Sequence, residues 1–340
     1  MRLACVAGSD ENLGGRMLIT VVIPTHDRPA LLHEAIASVE AQCFDEWCIV
    51  VVDDGSLPAV ELEHPSRRLE ARISVLRHEV PQGPSAARNA GMRTATGELV
   101  FFLDDDDLLE PDALQMIDAA FRGDACLDCL FVNVEPFGRY ADGVRHNQVQ
   151  ALSRVLAAMG VSRVAADGVL RLNSFRLFGA LLERIPMAFQ RVAIKRTQLL
   201  RVGPFRGEGF EDLEWYYRVA LRCACGLLVK PCYRVRCEGQ SYFSHPEAKQ
   251  RLIDAIIRIR AGLLSLEEVI ASPVLKRMVV ASLARANFNK AYFAHKSGQP
   301  FPWRNLLDSA THGVYWNHIS LAGKALKNRI GRAVTRHRNG

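Results

Sequence analysis

The chain has 340 residues, 49% hydrophobic and 24% charged, an ordinary globular composition long enough for one large or two modest domains with a sizeable core. No apolar run reaches the roughly 18 residues that a bilayer-spanning helix needs, and Met1 to Arg16 carries Asp10 and Glu11 without the apolar stretch of a secretory leader. Nine cysteines, an odd number on a chain without such a leader, point to reduced thiols and a cytoplasmic protein, and the formal charge of +6 is concentrated at the C-terminus.

In chain order, Leu18 to Ile23 is a β-branched run that predicts a strand stopped by Pro24. Met17 directly precedes it and is a second candidate for the first residue. Apolar residues at 31, 32, 35, 36 and 39 predict a helix over Pro29 to Gln42. Trp47 to Val52 predicts a second strand, ended by Asp53-Asp54-Gly55-Ser56, and a helix-like piece with Leu62 and Leu69 follows. Ile73 to Arg77 predicts a third strand, and Pro84 to Thr94 a helix that begins at Pro84 and leaves before Gly97. Leu99 to Leu103 is an unbroken apolar run, the pattern of a strand buried on both faces. Four carboxylates, Asp104 to Asp107, stand at its end, and a helix is expected from about Pro111 to Phe121. This alternation predicts a parallel sheet covered by helices.

Beyond residue 122 the pattern weakens. Cys129 to Val134 and Ala188 to Ile194 read as strands and Leu213 to Arg222 as a helix, whereas 135–180 shows no readable pattern. Helical spacing dominates from Lys249 to Lys296, interrupted at Pro273 and closed by Gly298-Gln299-Pro300. Leu321 to Gly340 holds Lys324, Lys327, Arg329, Arg332, Arg336 and Arg338 and no acid, with Leu326, Ile330 and Val334 every four residues. That is a basic amphipathic helix, suited either to an anionic membrane surface or to packing one face on its own domain. There is no internal repeat. Cys126-x-x-Cys129 and Cys223-x-Cys225 lack convincing metal-site spacing.

Crowding the carboxylates of Asp104 to Asp107 is costly by mutual repulsion, and a hard divalent cation, Mn²⁺ or Mg²⁺, would offset the cost through oxygen ligands. Ligands of open α/β sheets bind at the carboxyl ends of the strands. In a parallel sheet Asp53-Asp54 and Asp104 to Asp107 share that edge. A third acidic group, Glu208 and Glu211-Asp212-Leu213-Glu214, precedes Trp215-Tyr216-Tyr217-Arg218. Each cluster also has a plainer reading as a turn or a helix start.

Taken together these segments resemble family 2 glycosyltransferases. Val21 to Arg28 is similar to that family's opening strand, Val51 to Ser56 to its second strand, and Gly83 to Gly91 to the following helix. Gly97 to Asp107 resembles its Asp-x-Asp segment, and Gly203-Pro204-Phe205 through Glu211-Asp212 to Arg218 its Glu-Asp segment. The resemblance covers residues 18 to 220. It implies an α/β GT-A fold, a Rossmann-like, mostly parallel nucleotide-binding sheet flanked by helices, followed by a C-terminal helical region. The expected division is an N-terminal extension, 1–16, expected to be flexible; a catalytic domain, 17–245, with a nucleotide-sugar half (17–122) and an acceptor half (123–245); and a helical region with a basic tail, 246–340.

Residue by residue, the resemblance implies that Pro24, Thr25, Asp27 and Arg28, with Asp53 and Asp54, hold the base and ribose of a nucleotide sugar, and that Arg88 approaches its pyrophosphate. Asp104 and Asp106 are the implied Asp-x-Asp pair, Asp106 the more direct metal ligand and Asp104 nearer ribose or sugar. Asp105 stands where the family often has a small residue, and lies beside the donor. His245 is a candidate third metal ligand, and Asp212 the catalytic base. The implied activity is metal-dependent, inverting transfer of one sugar from a donor, UDP-linked by expectation, to a hydroxyl of a glycan or lipid-linked acceptor in bacterial surface polysaccharide biosynthesis. The setting is the cytoplasm or the inner face of the plasma membrane, with no nucleic-acid partner. No Gln-x-x-Arg-Trp segment of the processive kind is present. Two alternatives remain: a haloacid dehalogenase-type phosphatase, which also ends a strand in Asp-x-Asp, and a non-catalytic nucleotide-sugar or glycan-binding module, which would not need Asp212.

Overall fold

The computed structural model of the chain describes residues 15–62, 71–161, 168–183, 186–207, 211–238, 246–311 and 317–327. It divides into two compact units, Met1–Ser241 and Tyr242–Gly340.

The first unit runs β1 (Ile19–Thr25), α1 (Pro29–Glu40), β2 (Trp47–Asp53), β3 (Ile73–Arg77), α2 (Pro84–Thr94), β4 (Leu99–Phe102), β5 (Leu108–Leu109), α3 (Ala113–Gly123), β6 (Cys129–Phe137), α4 (Ala141–Ala158), β7 (Val169–Arg171), α5 (Ser174–Glu183), β8 (Val192–Lys195), α6 (Leu199–Val202), α7 (Glu211–Arg222) and β9 (Cys225–Arg236). The described strands form one sheet in the order β3-β2-β1-β4-β8-β6-β9-β5, with β7 also on β9. The first four strands in that order are mutually parallel. The residues of β1, β2 and β4 are almost all buried because helices cover both faces, which is why those segments read as unbroken apolar runs, whereas β3 buries only Ile73.

Two expectations need correction. Pro24 does not stop β1, which continues to Thr25 in register with Asp53. Val22 turns its backbone toward β4, accepting from Leu103 N at 3.0 Å. Pro24, two residues on, faces the same way beyond the end of β4, so its missing N–H costs no ladder bond. The four strands that alternate with helices are parallel, as that alternation predicts, and later strands bring in other directions. β8 inserts antiparallel between β4 and β6, and β5 and β7 add antiparallel to β9. The run predicted as a strand over Ala188 to Ile194 begins as a 3₁₀ turn, Met187–Gln190, whose Phe189 packs edge-on against Phe131 at 5.1 Å. The helix-like piece expected after Leu62 falls on 63–70, outside the described residues.

α2 lies directly on β1. A Cβ at Gly91 would fall 2.2 Å from Val22 Cγ1, so only glycine allows this approach. The close contact brings the start of α2, with Arg88, to the sheet edge where the acids stand.

The second unit is helical: α8 (Pro246–Leu263), α9 (Glu267–Ala271), α10 (Pro273–Lys296), α11 (Trp303–Ala310) and a helical stretch over 317–327. Pro273 opens α10 rather than merely interrupting a helix. It occupies the first turn, where no N–H is required, and Ser272 Oγ caps by accepting from Leu275 N at 3.3 Å. No described helix is long and apolar enough to cross a membrane.

Candidate active site

The carboxyl ends of β1, β2 and β4 open onto a cleft of about 450 Å³. Of the residues singled out from the sequence, Pro24, Thr25, Arg28, Asp54, Arg88, Asp104, Asp105 and Asp106 line it, joined by His26, Pro81, Gly83, Pro84 and Ala87. Asp27 and Asp53 are not among the lining residues. Asp53 lies behind the wall: Oδ1 accepts from Ser56 N at 2.8 Å, Oδ2 accepts from Val60 N at 3.1 Å, and Arg77 pairs with it. Burial opposes its charge, but the bonds from Ser56, Val60 and Arg77 outweigh it and hold the carboxyl below the usual range. Asp27 takes a left-handed backbone (φ 55°), which aspartate tolerates better than most residues. Its N–H donates to Ser56 Oγ at 2.9 Å, and its carboxylate accepts from Leu57 N at 2.7 Å. Both acids build the turns that carry their neighbours.

Asp54 faces the cleft and also ties down its rim. Its Oδ1 lies 2.6 Å from His78 Nδ1 and accepts from Gln82 N at 2.9 Å, while Oδ2 accepts from Gly83 N at 2.7 Å. Gly83 has a φ of 88°, open to glycine at no steric cost, and hands the chain to Pro84 at the start of α2. These bonds draw the segment after β3 across the cleft.

The four acids after β4 have separate surroundings. Asp104 Oδ1 accepts from Arg88 at 3.0 Å, and Oδ2 lies 3.1 Å from Arg191. Burial disfavours its charge, yet Arg191 and Arg88 prevail and keep it below the usual range. Asp105 is buried and accepts from Thr25 Oγ1 at 2.7 Å and Arg28 at 3.2 Å. Desolvation pushes its pKa up to about 6. Asp106 is 40% exposed and pairs with Arg28 at 3.1 Å; burial, then the charge of Asp104, raises its pKa. Asp107 is buried, 3.0 Å from Arg191, and accepts from Arg236 N at 2.8 Å. Burial pushes it up to about 7.

α7 lies near this cleft without lining it. Trp215 stacks on Phe205 at 4.5 Å and donates from Nε1 to Gly203 O at 2.9 Å. The buried Arg218 pairs with Glu214 at 2.7 Å and donates to the carbonyls of Val202 and Pro204. Asn89, one residue beyond Arg88, donates to Phe205 O at 2.9 Å and accepts from Phe205 N at 2.8 Å. Asn89 of α2 thus holds the turn that Trp215 and Arg218 of α7 also grip. Glu214, one of the candidate acids, is taken up by this structural pair. Asp212 accepts from Leu213 N at 2.9 Å. Burial raises its pKa, Arg88 and Arg191 act against the rise, and Asp104 adds to it. Asp212 and the acids of the turn after β4 therefore share one electrostatic neighbourhood. Glu208, His245 and the side chain of Glu211 lie outside the described residues.

Sequence reasoning missed Arg191, Tyr233, Arg236 and Asn89. Arg191 and Tyr233 follow segments with no local motif, and their roles arise only from contacts across the sheet. Asn89 sat within a segment already singled out, but its partner is 116 residues away. Among the described residues, no three His, Cys, Asp or Glu side chains form a closed metal cluster.

Residues 20–160 match the family model described as glycosyl transferase family 2. The chain is 37% identical over 101 residues to the GalNAc(5)-diNAcBac-PP-undecaprenol beta-1,3-glucosyltransferase of Campylobacter jejuni, covering 29% of this chain and 33% of that protein. It is 36% identical over 122 residues to the succinoglycan biosynthesis protein ExoW of Rhizobium meliloti, covering 34% and 37%. The matches span less than half the length of these curated relatives. The structure of S. aureus TarS 1-349 in complex with UDP-GlcNAc is similar with a TM-score of 0.56 at 18% identity, over 93% of this chain and 92% of that one. The mannosyltransferase PcManGT from Pyrobaculum calidifontis, in complex with GDP-Man and Mn²⁺, reaches 0.50 at 15% identity, over 92% and 80%. At these identities the two structures show a shared fold, the GT-A fold. Residues 20–160, the stretch that matches glycosyl transferase family 2, carry the acid turn after β4 and both Arg28 and Arg88.

Proposed function

We propose that the chain moves one sugar from a nucleotide-sugar donor to a hydroxyl of a glycan or lipid-linked acceptor, with inversion at the anomeric carbon and with a divalent cation. The observation that carries this reading is Asp212, a carboxylate raised in pKa by burial and sensing Arg88, Arg191 and Asp104. A general base is thereby paired with the acids of the donor cleft. Pro24, Thr25, Arg28 and Asp54 hold the base and ribose, and Arg88 faces the diphosphate. The departing nucleoside diphosphate gains negative charge, and the guanidiniums of Arg28 and Arg88 on the cleft wall stabilise it electrostatically. Asp212 takes the proton of the attacking acceptor hydroxyl. With one base and no protein nucleophile, a single displacement inverts the centre.

The donor set fits a cation shared with substrate. Asp104 and Asp106 share one cleft wall and raise each other's cost of ionisation, and Mg²⁺-type ions use one or two carboxylates plus phosphate oxygens. Mn²⁺ or Mg²⁺ held by Asp106 and Asp104 would supply Lewis-acid stabilisation of the leaving diphosphate. The phosphatase alternative has less support: it needs Asp104 as a free nucleophile, whereas both of its oxygens are engaged by guanidiniums.

A panel of UDP-, GDP- and dTDP-sugars tests the reading by thermal stabilisation and donor hydrolysis. At least one is expected to raise the melting temperature in the presence of Mn²⁺. A flat response across the panel, with and without Mn²⁺, would reject it. The names of the relatives support a role in bacterial polysaccharide biosynthesis, and the inner face of the plasma membrane is the proposed setting. In the helical stretch 317–327, Ile319 and Leu326 are 54% and 50% exposed beside Lys324 and Lys327, which supports docking on an anionic bilayer. Co-sedimentation with phosphatidylglycerol vesicles but not with phosphatidylcholine vesicles is the expected result; equal recovery with both would exclude an electrostatic membrane contact.

A further inference from the structure

Arg191 has no task in the reaction as described, yet it is engaged by two carboxylates, a carbonyl and an aromatic ring. It stands just before β8, the strand that enters the sheet antiparallel beside β4. Its side chain is 14% exposed. One terminal nitrogen lies 3.1 Å from Asp104 Oδ2 and 3.0 Å from Asp107 Oδ2. The other donates to Gln190 O at 3.1 Å, and the guanidinium lies 4.8 Å from the centroid of the Tyr233 ring. The Tyr233 hydroxyl in turn accepts from Asp104 N at 3.0 Å. Arg191 Nε is buried and meets no hydrogen-bond partner among the described residues.

Stability does not account for this arrangement. A buried cation between two carboxylates is often no better than apolar side chains of similar volume, because desolvation offsets the attraction. An orphaned Nε–H adds to the cost. The geometry does something apolar packing cannot do. Arg88 of α2 takes one oxygen of Asp104 and Arg191 the other, which fixes the plane of that carboxylate. The same Arg191 nitrogen anchors Asp107, where Arg236 also grips the turn through Asp107 Oδ1 and Asp106 O. Both ends of the four-residue turn are thereby pinned, and Asp106 is left between them on the cleft.

We propose that Arg191 is a positioning residue that sets the orientation of Asp104 and holds the turn so that Asp106 faces the donor. This rests on the reading of Asp104 and Asp106 as donor-side acids. Lysine supplies charge but not the planar guanidinium that meets both carboxylates through one nitrogen and Gln190 O through the other while lying over an aromatic ring.

The test uses the full chain and the variants Arg191→Lys, Arg191→Gln and Tyr233→Phe. It measures donor KM and kcat, Mn²⁺-dependent UDP affinity by calorimetry, and the melting temperature. Arg191→Lys is expected to fold and to raise donor KM and weaken Mn²⁺-dependent UDP binding by about 10- to 100-fold, the range seen when the partner of a metal ligand is removed. Arg191→Gln is expected to do so more strongly, and Tyr233→Phe to give a smaller change in the same direction. Folded Arg191 variants with a lowered melting temperature but wild-type KM and UDP affinity would overturn the proposal, leaving Arg191 a structural role only. Should both Arg191 variants fail to fold, Tyr233→Phe decides: an unchanged donor KM overturns the proposal. If the wild-type chain binds no UDP with Mn²⁺, the donor-cleft reading fails first and takes this proposal with it.

Discussion

Asp212→Asn is expected to lower kcat for transfer by about 10²- to 10⁴-fold, the usual contribution of a positioned general base, with UDP affinity nearly unchanged. The amide keeps the size of the side chain and can still accept from Leu213 N, so the fold of α7 is preserved. What is lost is the ability to take the acceptor proton. The pH dependence follows from the raised pKa of Asp212, which burial causes, Arg88 and Arg191 counter, and Asp104 reinforces. Only the ionised carboxylate is a base. Activity is therefore lost as pH falls through that raised value, and the acid limb of kcat lies above the range of an ordinary aspartate. The residual activity of Asp212→Asn should lack this limb. Full activity in the variant would reject Asp212 as the base.

Asp106→Ala is expected to abolish the gain in UDP affinity that Mn²⁺ brings, a loss of about 10-fold or more when the cation's Lewis-acid contact with the diphosphate is worth several kcal/mol. Affinity without Mn²⁺ should hold or rise slightly, because Arg28 loses one of its two carboxylate partners and is freer to meet phosphate. Calorimetry with and without Mn²⁺ separates the two effects. An unchanged Mn²⁺ dependence would sink the metal assignment, whereas an equal loss in both conditions would mean that Asp106 acts through the shape of the turn.

Much of the first half of the fold was legible because its signals are local. β2 and β4 are buried on both faces, so their apolar runs are unbroken, and α2 begins at a proline and spans Pro84–Thr94 as its spacing indicates. Two of the acidic clusters are visible because each ends a strand, and the third because it opens α7. The second half was hard to read for a physical reason. β8 gains its place by pairing antiparallel with β4 and β6, strands more than fifty residues away in sequence. α4 buries only Ala141, Gln148, Ala151, Leu152 and Val155 of its length, so its periodicity is faint.

From the sequence alone came the family resemblance, the alternation of strands and helices, and the presence of three acidic groups at expected strand or helix ends. Tertiary structure decided which of those acids line the cleft. Asp53 and Asp54 are neighbours in sequence, yet a β-strand sends successive side chains to opposite faces. Asp53 is consumed behind the wall by Ser56, Val60 and Arg77, while Asp54 faces the cleft. Asp104 to Asp107 look equivalent as a run of four. Their differences come from Arg28, Arg88, Arg191 and Arg236, brought in from four separate parts of the chain. A carboxylate's charge and orientation depend on what surrounds it within a few ångströms, and only the folded chain brings those partners to it.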